Sequence, residues 1–334
     1  MAEGIRKLRS VRFGREGTAG TACATTTRWR GTGVLIDERV KVTPEEDVSI
    51  ISGTDRQYEP MLGGTITTEG VATFEQIGHI FDAGIVEATP ATDGTTGSGR
   101  IYTWTFPTTA AASAIQSYTI EGGDNIRYDE MEYSYVESFN LSGTVSEAVM
   151  VSAVWKGRQV QICAVTTAAT IPAVEEILFQ EGKLYIDAIT GTQGNTPKTS
   201  TWRAFNLDCK TGWKGEPTGD GEKYFTFLKN VGSEITLDIT MEHNATATAE
   251  IDYWRAGTAR LITLKFEGSS LDTAGTTYSL HTLAINLAGK WESFAGLEDS
   301  DGNDTITGTF KAGYDPTSTS YASIVLAADT TTLP

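Results

Sequence analysis

Apolar and polar side chains alternate with period two between residues 128 and 142. Met131, Tyr133, Tyr135, Phe139 and Leu141 fall on one face, and Glu130, Glu132, Ser134, Ser138, Asn140 and Ser142 on the other. Glu137 is the one charge on the apolar side. A strand this long with one apolar and one polar face predicts a sheet with one wet side. The pattern returns where Ile235, Leu237, Ile239 and Met241 alternate with Glu234, Thr236, Asp238, Thr240 and Glu242. It also appears where Phe205, Leu207 and Cys209 alternate with Asn206 and Asp208. Shorter runs predict strands at Ile101–Phe106, Tyr118–Ile120, Val149–Trp155, Leu261–Phe266, Tyr278–Leu287, Thr305–Phe310 and Ala322–Ala328.

Two short helices interrupt the strands. Phe74, Ile77 and Phe81 form one stripe, and Thr73 and Gln76 have capping-box spacing. Ala247, Ile251 and Trp254 form the second stripe behind Asn244, a candidate N-cap. The helices stop at Gly84 and Gly257, residues suited to a left-handed C′ position. The order of strands and helix therefore occurs twice, around residues 38–155 and 200–329, which predicts a duplicated unit. The expected division is a basic arm (1–37), a first unit (38–165), a connecting segment (166–199) and a second unit (200–334).

The length of 334 residues suits two domains, and 35 glycines against nine prolines favour strands joined by turns. No apolar run approaches a membrane span, and no apolar stretch of signal-peptide type follows the basic N-terminus. Cys23, Cys163 and Cys209 are widely spaced and odd in number, which suggests neither a disulfide framework nor a zinc site and fits a reducing cytoplasm. The net charge of −17 is uneven: residues 1–30 carry seven Lys/Arg against two Glu, while the remainder is strongly acidic. A basic arm (Arg6, Lys7, Arg9, Arg12, Arg15) on an acidic body predicts contact between copies, and the acidic body argues against phosphate binding.

Motifs for chemistry are missing. His79, His243 and His281 lack metal-ligand spacing, and neither a nucleophile-elbow nor a phosphate-loop signature occurs. Gly31-Thr32-Gly33 lacks the third glycine of a dinucleotide loop. Asp299–Asp304 has its glycine in the wrong place for a calcium loop and reads better as a hairpin turn at Asp301-Gly302. Glu45-Glu46-Asp47 and Glu121 could supply a carboxylate pair, but with 43 acids such pairs are expected by chance. No catalytic residue, cofactor or metal is predicted, and no enzyme.

Four stretches carry a resemblance: Gly14–Thr21 with Trp29-Arg30-Gly31, Ala72–Gly84, Ser117–Asp124, and the C-terminal part from Glu242 through Leu287–Lys290 and Asp299–Asp304 to Leu333-Pro334. Through them the chain resembles the major tail tube proteins of long, non-contractile, siphovirus-type bacteriophages. The resemblance implies a mainly β protein of two tandem tail-tube-like β-sandwich or barrel units, each with a flanking helix. Each unit would lend strands to a ring-shaped inner β-barrel. Family members form hexameric rings of single units that stack head to tail into a hollow tube. A doubled chain implies trimeric, pseudo-hexameric rings, with ordinary hexameric rings as the alternative. It also implies a place in the virion tail after assembly in the host cytoplasm, beside tape measure, tail terminator and distal tail proteins. Double-stranded DNA would pass without specific binding, and no membrane would be involved. Glu130, Glu132, Asp208, Glu234, Asp238 and Glu242 are the expected lumen lining. The arm and the segment Thr43–Pro60 are the expected ring-stacking contacts. The competing expectation is a β-sandwich binding module, carbohydrate-binding or adhesin-like, which would need an exposed aromatic platform.

Overall fold

The computed structural model describes residues 3–51, 55–94, 99–109, 115–300, 302–330 and 333. The first half contains β1 (Ser10–Arg15), β2 (Thr27–Arg28), β3 (Leu35–Asp37), β4 (Val40–Val42), β5 (Tyr58–Met61), β6 (Gly64–Val71), α1 (Ile77–Gly84), β7 (Ala91–Thr92), β8 (Arg100–Thr105), β9 (Tyr118–Gly123), β10 (Tyr128–Thr144), β11 (Met150–Gly157) and β12 (Val160–Cys163). The second contains β13 (Gly182–Ala188), β14 (Trp202–Lys210), β15 (Trp213–Pro217), β16 (Phe225–Asn230), β17 (Glu234–Glu242), α2 (Ala245–Arg255), β18 (Arg260–Ser270), β19 (Leu280–Phe294), β20 (Glu298–Ser300), β21 (Asn303–Ala312) and β22 (Ala322–Ala328). The protein is mainly β and antiparallel.

Eight strands form one continuous sheet in the order β3-β6-β11-β10-β14-β17-β21-β19. The long strands β10 and β19 bend out of it. The start of β10 joins a second sheet, β12-β10-β9-β1-β2, and the start of β19 joins a third, β13-β18-β19-β22-β8-β7. Among the described residues no ladder returns to its starting strand, so the sheets do not close into a barrel within the chain.

A bulge is what bends β10. The alternation expected over 128–142 breaks between Met131 and Ser134 and again between Val136 and Ser138. An extra residue in one strand kinks it and strengthens its twist. Glu137 is that extra residue at the second break, which explains a charge on the apolar side of the pattern. In β19 the same irregularity lies between Trp291 and Ser293, with Glu292 as the extra residue. The triplets Glu137-Ser138-Phe139 and Glu292-Ser293-Phe294 are identical.

Counted from these bulges, the two halves match in strand order and pairing. Val136, Trp155, Ile66 and Leu35 form one row across the first half, and Trp291, Phe310, Leu237 and Leu207 form it across the second. The segments expected as arm and linker carry matching elements. Each has a single 3-10 turn (Arg6–Leu8, Phe179–Glu181) followed by a strand, β1 or β13, that pairs with β9 or β18. The halves nevertheless share one core, running from Phe13, Trp155 and Phe81 to Phe205, Phe266 and Phe310. Strand β8 of the first half extends the outer sheet of the second.

The helices correspond too, but not in their ends. Phe81 packs on Phe139 at 5.5 Å, and Trp254 packs on Phe294 at 5.7 Å. Asn244 caps α2 as expected, accepting from the Thr246 and Ala247 amides. Thr73 does not cap α1. The helix starts at Ile77, and the Gln76 side chain instead bonds the backbone of Arg28 and Arg30. Gly257 is left-handed (φ 66), whereas Gly84 is the last helical residue and its φ is not positive. A Cβ at Gly84 would lie 3.1 Å from Thr211 and 3.2 Å from Val136, so crowding explains that glycine.

Candidate assembly interface

The junction between the halves is made edge to edge by β10 and β14, which pair from Ser138↔Lys210 to Thr144↔Ala204. On the wet face Asn140 donates to Asn206 and Asp208 at 2.8 and 2.7 Å. The β15–β16 hairpin reaches back from the second half to cover the bend of β10. Trp213 and Phe225 form a small core with Tyr135, whose hydroxyl accepts from the Gly215 amide. The Arg158 guanidinium lies 4.5 Å from the Tyr133 ring and donates to the Phe225 and Thr226 carbonyls. Backbone around Glu175–Phe179 straps the end of the first half through the Ala72, Phe74, Glu147 and Val149 backbones. Every residue of α1 is buried.

The corresponding features at the two ends are open. Among the described residues, no strand pairs with the outer edge of β3 or with the outer edge of the chain from Lys290 to Leu297. Helix α2, the counterpart of α1, buries only Ala247 and Glu250. The β4–β5 hairpin, the counterpart of β15–β16, exposes Val40, Tyr58 and Met61, and the segment it carries exposes Val48, Ile50 and Ile51. Unpaired strand edges here lie beside exposed apolar side chains, a combination that folded proteins usually cover.

The expected lining residues separate into two groups. Asp208, Glu234, Asp238 and Glu242 share the wet face of the eight-stranded sheet. Glu130 and Glu132 lie before the bulge, in the sheet of β9 and β12, so the structure does not bring them to that face. Glu132 accepts from Gln159, and burial together with Glu121 and Glu132 raises the Glu130 pKa. The wet face also carries Lys156, Lys210, Lys290 and Lys311 among its Thr, Ser and Asn side chains. Glu234 meets Lys210 at 3.0 Å and Lys311 at 3.4 Å, and these partners hold its pKa down. The face is therefore mixed in charge and rich in hydroxyls rather than simply acidic.

The five arm residues also divide. Arg6, Lys7 and Arg9 are exposed, and Arg6 and Arg9 line a groove with Val34 and Ile36 beside the open edge of β3. Arg12 is buried in β1, donating to the Thr166 carbonyl and to Ser10. Arg15 meets the buried Asp82 at 3.0 Å. Tertiary pairing consumes these two, so they do not belong to a free arm. Of the expected contact segment Thr43–Pro60, residues 52–54 lie outside the described residues. Sequence reasoning missed Val34, Ile36 and Leu297, whose signal would have been apolar side chains beside the predicted strand ends.

Other candidates have structural roles. Glu121 is buried and accepts from the Thr166 amide and hydroxyl. Asp299 and Asp304 face each other across the β20–β21 hairpin, with Gly302 at φ 83; Asp301 lies outside the described residues. All seven tryptophans are buried or half-buried, so none offers an exposed platform. Among the described residues no helix is long and apolar enough to cross a membrane, and no group of three His, Cys, Asp or Glu could hold a metal. No family model matches the chain, and no curated protein matches it.

Proposed function

We propose that this chain is a tube-forming structural protein of a phage tail, in which copies join edge to edge into stacked rings. One observation carries the reading: β10 and β14 join two four-stranded halves of matching strand order, and among the described residues the counterparts of those two edges, β19 and β3, pair with no further strand. A third, fourth and further unit can be added by repeating that contact, and closure removes every exposed edge.

The stagger of the junction favours a cylinder. The row of the first half meets β10 at Val136, whereas the row of the second meets it at Leu141. Discounting the bulge residue, each four-stranded unit advances by four residues. Stagger equal to strand number corresponds to a strand tilt of about 36°, within the range for closed barrels. Three chains would give 24 strands and a diameter of roughly 45 Å between opposite backbones. That bore is wide enough for a hydrated duplex.

The wet face of the eight-stranded sheet would line the bore. Its hydroxyls and amides offer phosphates weak neutral contacts. Lys210 and Lys311 are held by Glu234, so duplex binding would gain little from counterion release at those positions. Glu234→Gln frees both lysines and should slow DNA passage in assembled tails, most strongly at low salt. Tape measure, terminator and distal tail proteins would be further partners in the virion. A binding module is less well supported, because the tryptophans are turned inward.

Sedimentation and electron microscopy of the purified protein over a concentration series test this. Rings or hollow tubes growing with concentration support the proposal. A compact monomer at every concentration overturns it.

A further inference from the structure

We infer that two copies of this chain join β19 to β3 in the register of β10 and β14, with an apolar latch of Leu297 on Val34 and Ala295 on Ile36. The inference rests on the ring reading and adds the residues that make the contact.

The register follows from two anchors. The identical triplets at the bulges make Ser138 and Phe139 the counterparts of Ser293 and Phe294. The two rows make Leu35 the counterpart of Leu207, because Ile66 and Leu237 occupy equal positions beside Trp155 and Phe310. Inside the chain Phe139 faces Cys209, Asn140 faces Asp208, Leu141 faces Leu207 and Ser142 faces Asn206. Carried to the open edges, Phe294 faces Asp37, Ala295 faces Ile36, Gly296 faces Leu35 and Leu297 faces Val34.

The side chains suit that pairing. At the two wet-face pairs, where the internal junction sets Asn140 on Asp208 and Ser142 on Asn206, the open edges set Ala295 on Ile36 and Leu297 on Val34. Val34 is 58% exposed, Ile36 53% and Leu297 55% in the single chain. The internal junction is tethered by the chain and forms without losing translational freedom. Contact between molecules must offset that loss, and burying directly opposed apolar side chains is the simplest source. The two inward pairs are Phe294 with Asp37 and Gly296 with Leu35, and each sets a large side chain against a smaller one, so this register brings no clash there.

Cysteine pairs read the register. Val34→Cys with Leu297→Cys, oxidised at concentrations where tubes form, should link chains covalently and end in a closed ring on a non-reducing gel. Glu38→Cys with Leu297→Cys, four positions out of register, should link at least tenfold less. The unmodified chain controls for Cys23, Cys163 and Cys209. All three altered positions are exposed, so the fold should persist, and circular dichroism checks it. In parallel, Val34→Lys and Leu297→Glu should each abolish tubes alone, and the double variant should restore them. Tubes in which the Glu38 pair links and the Val34 pair does not would overturn the register while sparing the ring. Tubes unaffected by either single charge would also overturn it. Failure of every variant and of the unmodified chain to associate would end the ring reading, and this inference with it.

Discussion

Helix α1 lies at the junction between the halves, and α2 occupies the corresponding place at an end that no strand covers among the described residues. The first is buried along its whole length, while the second keeps two buried residues and a solvent face. Both set an aromatic side chain on the phenylalanine that follows a bulge. One helix is thus covered by a neighbouring half and its counterpart is not. Under the proposed assembly, a neighbour would belong where the second half lacks what it supplies to the first.

The largest effect should come from the polar anchor of α2. Glu250 and Arg260 form a buried pair at 2.7 Å, and Trp291 donates to Glu250. Glu250→Ala leaves Arg260 buried without its carboxylate and should cost about 3–5 kcal/mol in urea unfolding. Phe81→Ala should cost about 3–5 kcal/mol, because Phe81 is fully buried. Trp254→Ala should cost less in the single chain, roughly 1–2 kcal/mol, since that residue is half-exposed. Equal costs for the two aromatics would break the comparison of the helices.

Smaller effects sharpen it. Asn244→Ala removes the cap of α2 and should cost about 1 kcal/mol. The last test is pH. His79, in α1, is buried against Tyr118 at 3.1 Å, and burial, then Arg15, lowers its pKa to about 3. An unfolded histidine takes up its proton near pH 6.5, so the His79 contribution is present above that value and lost as pH falls toward 3. Asp82 acts in the opposite sense. Burial outweighs its bonds from Trp104, Ala88 and Arg15 and raises its pKa to about 6, so its contribution is lost as pH rises from about 4 to 6. His79→Gln should flatten the loss of stability on acidification, and Asp82→Asn should deepen it. Urea midpoints at pH 7 and 4.5 for the three proteins decide the matter.

Much of the architecture was legible in the sequence. Period-two alternation located β10, β14 and β17, because a half-buried sheet forces that pattern on its residues. The repeat was legible as an order of elements, and Glu137 against the apolar run was a sign of the bulge. Other features were not. The crossing of β8 into the second half and the use of β1 and β13 as paired strands depend on tertiary partners that local pattern does not encode. Arg12 and Arg15 read as arm residues because only the fold supplies Thr166 and Asp82 to bind them. The wet face was legible in part. Alternation assigned Asp208, Glu234, Asp238 and Glu242 to it, whereas the bend of β10 that carries Glu130 and Glu132 into another sheet depends on tertiary partners.

Averaged end-on images of assembled protein, extended to a reconstruction that resolves strands, test the central claim most directly. The account predicts three chains around a bore of 24 strands, with the contact between chains matching the contact inside each one. Copies held together by other surfaces, with the edges of β3 and β19 left facing solvent, would contradict it.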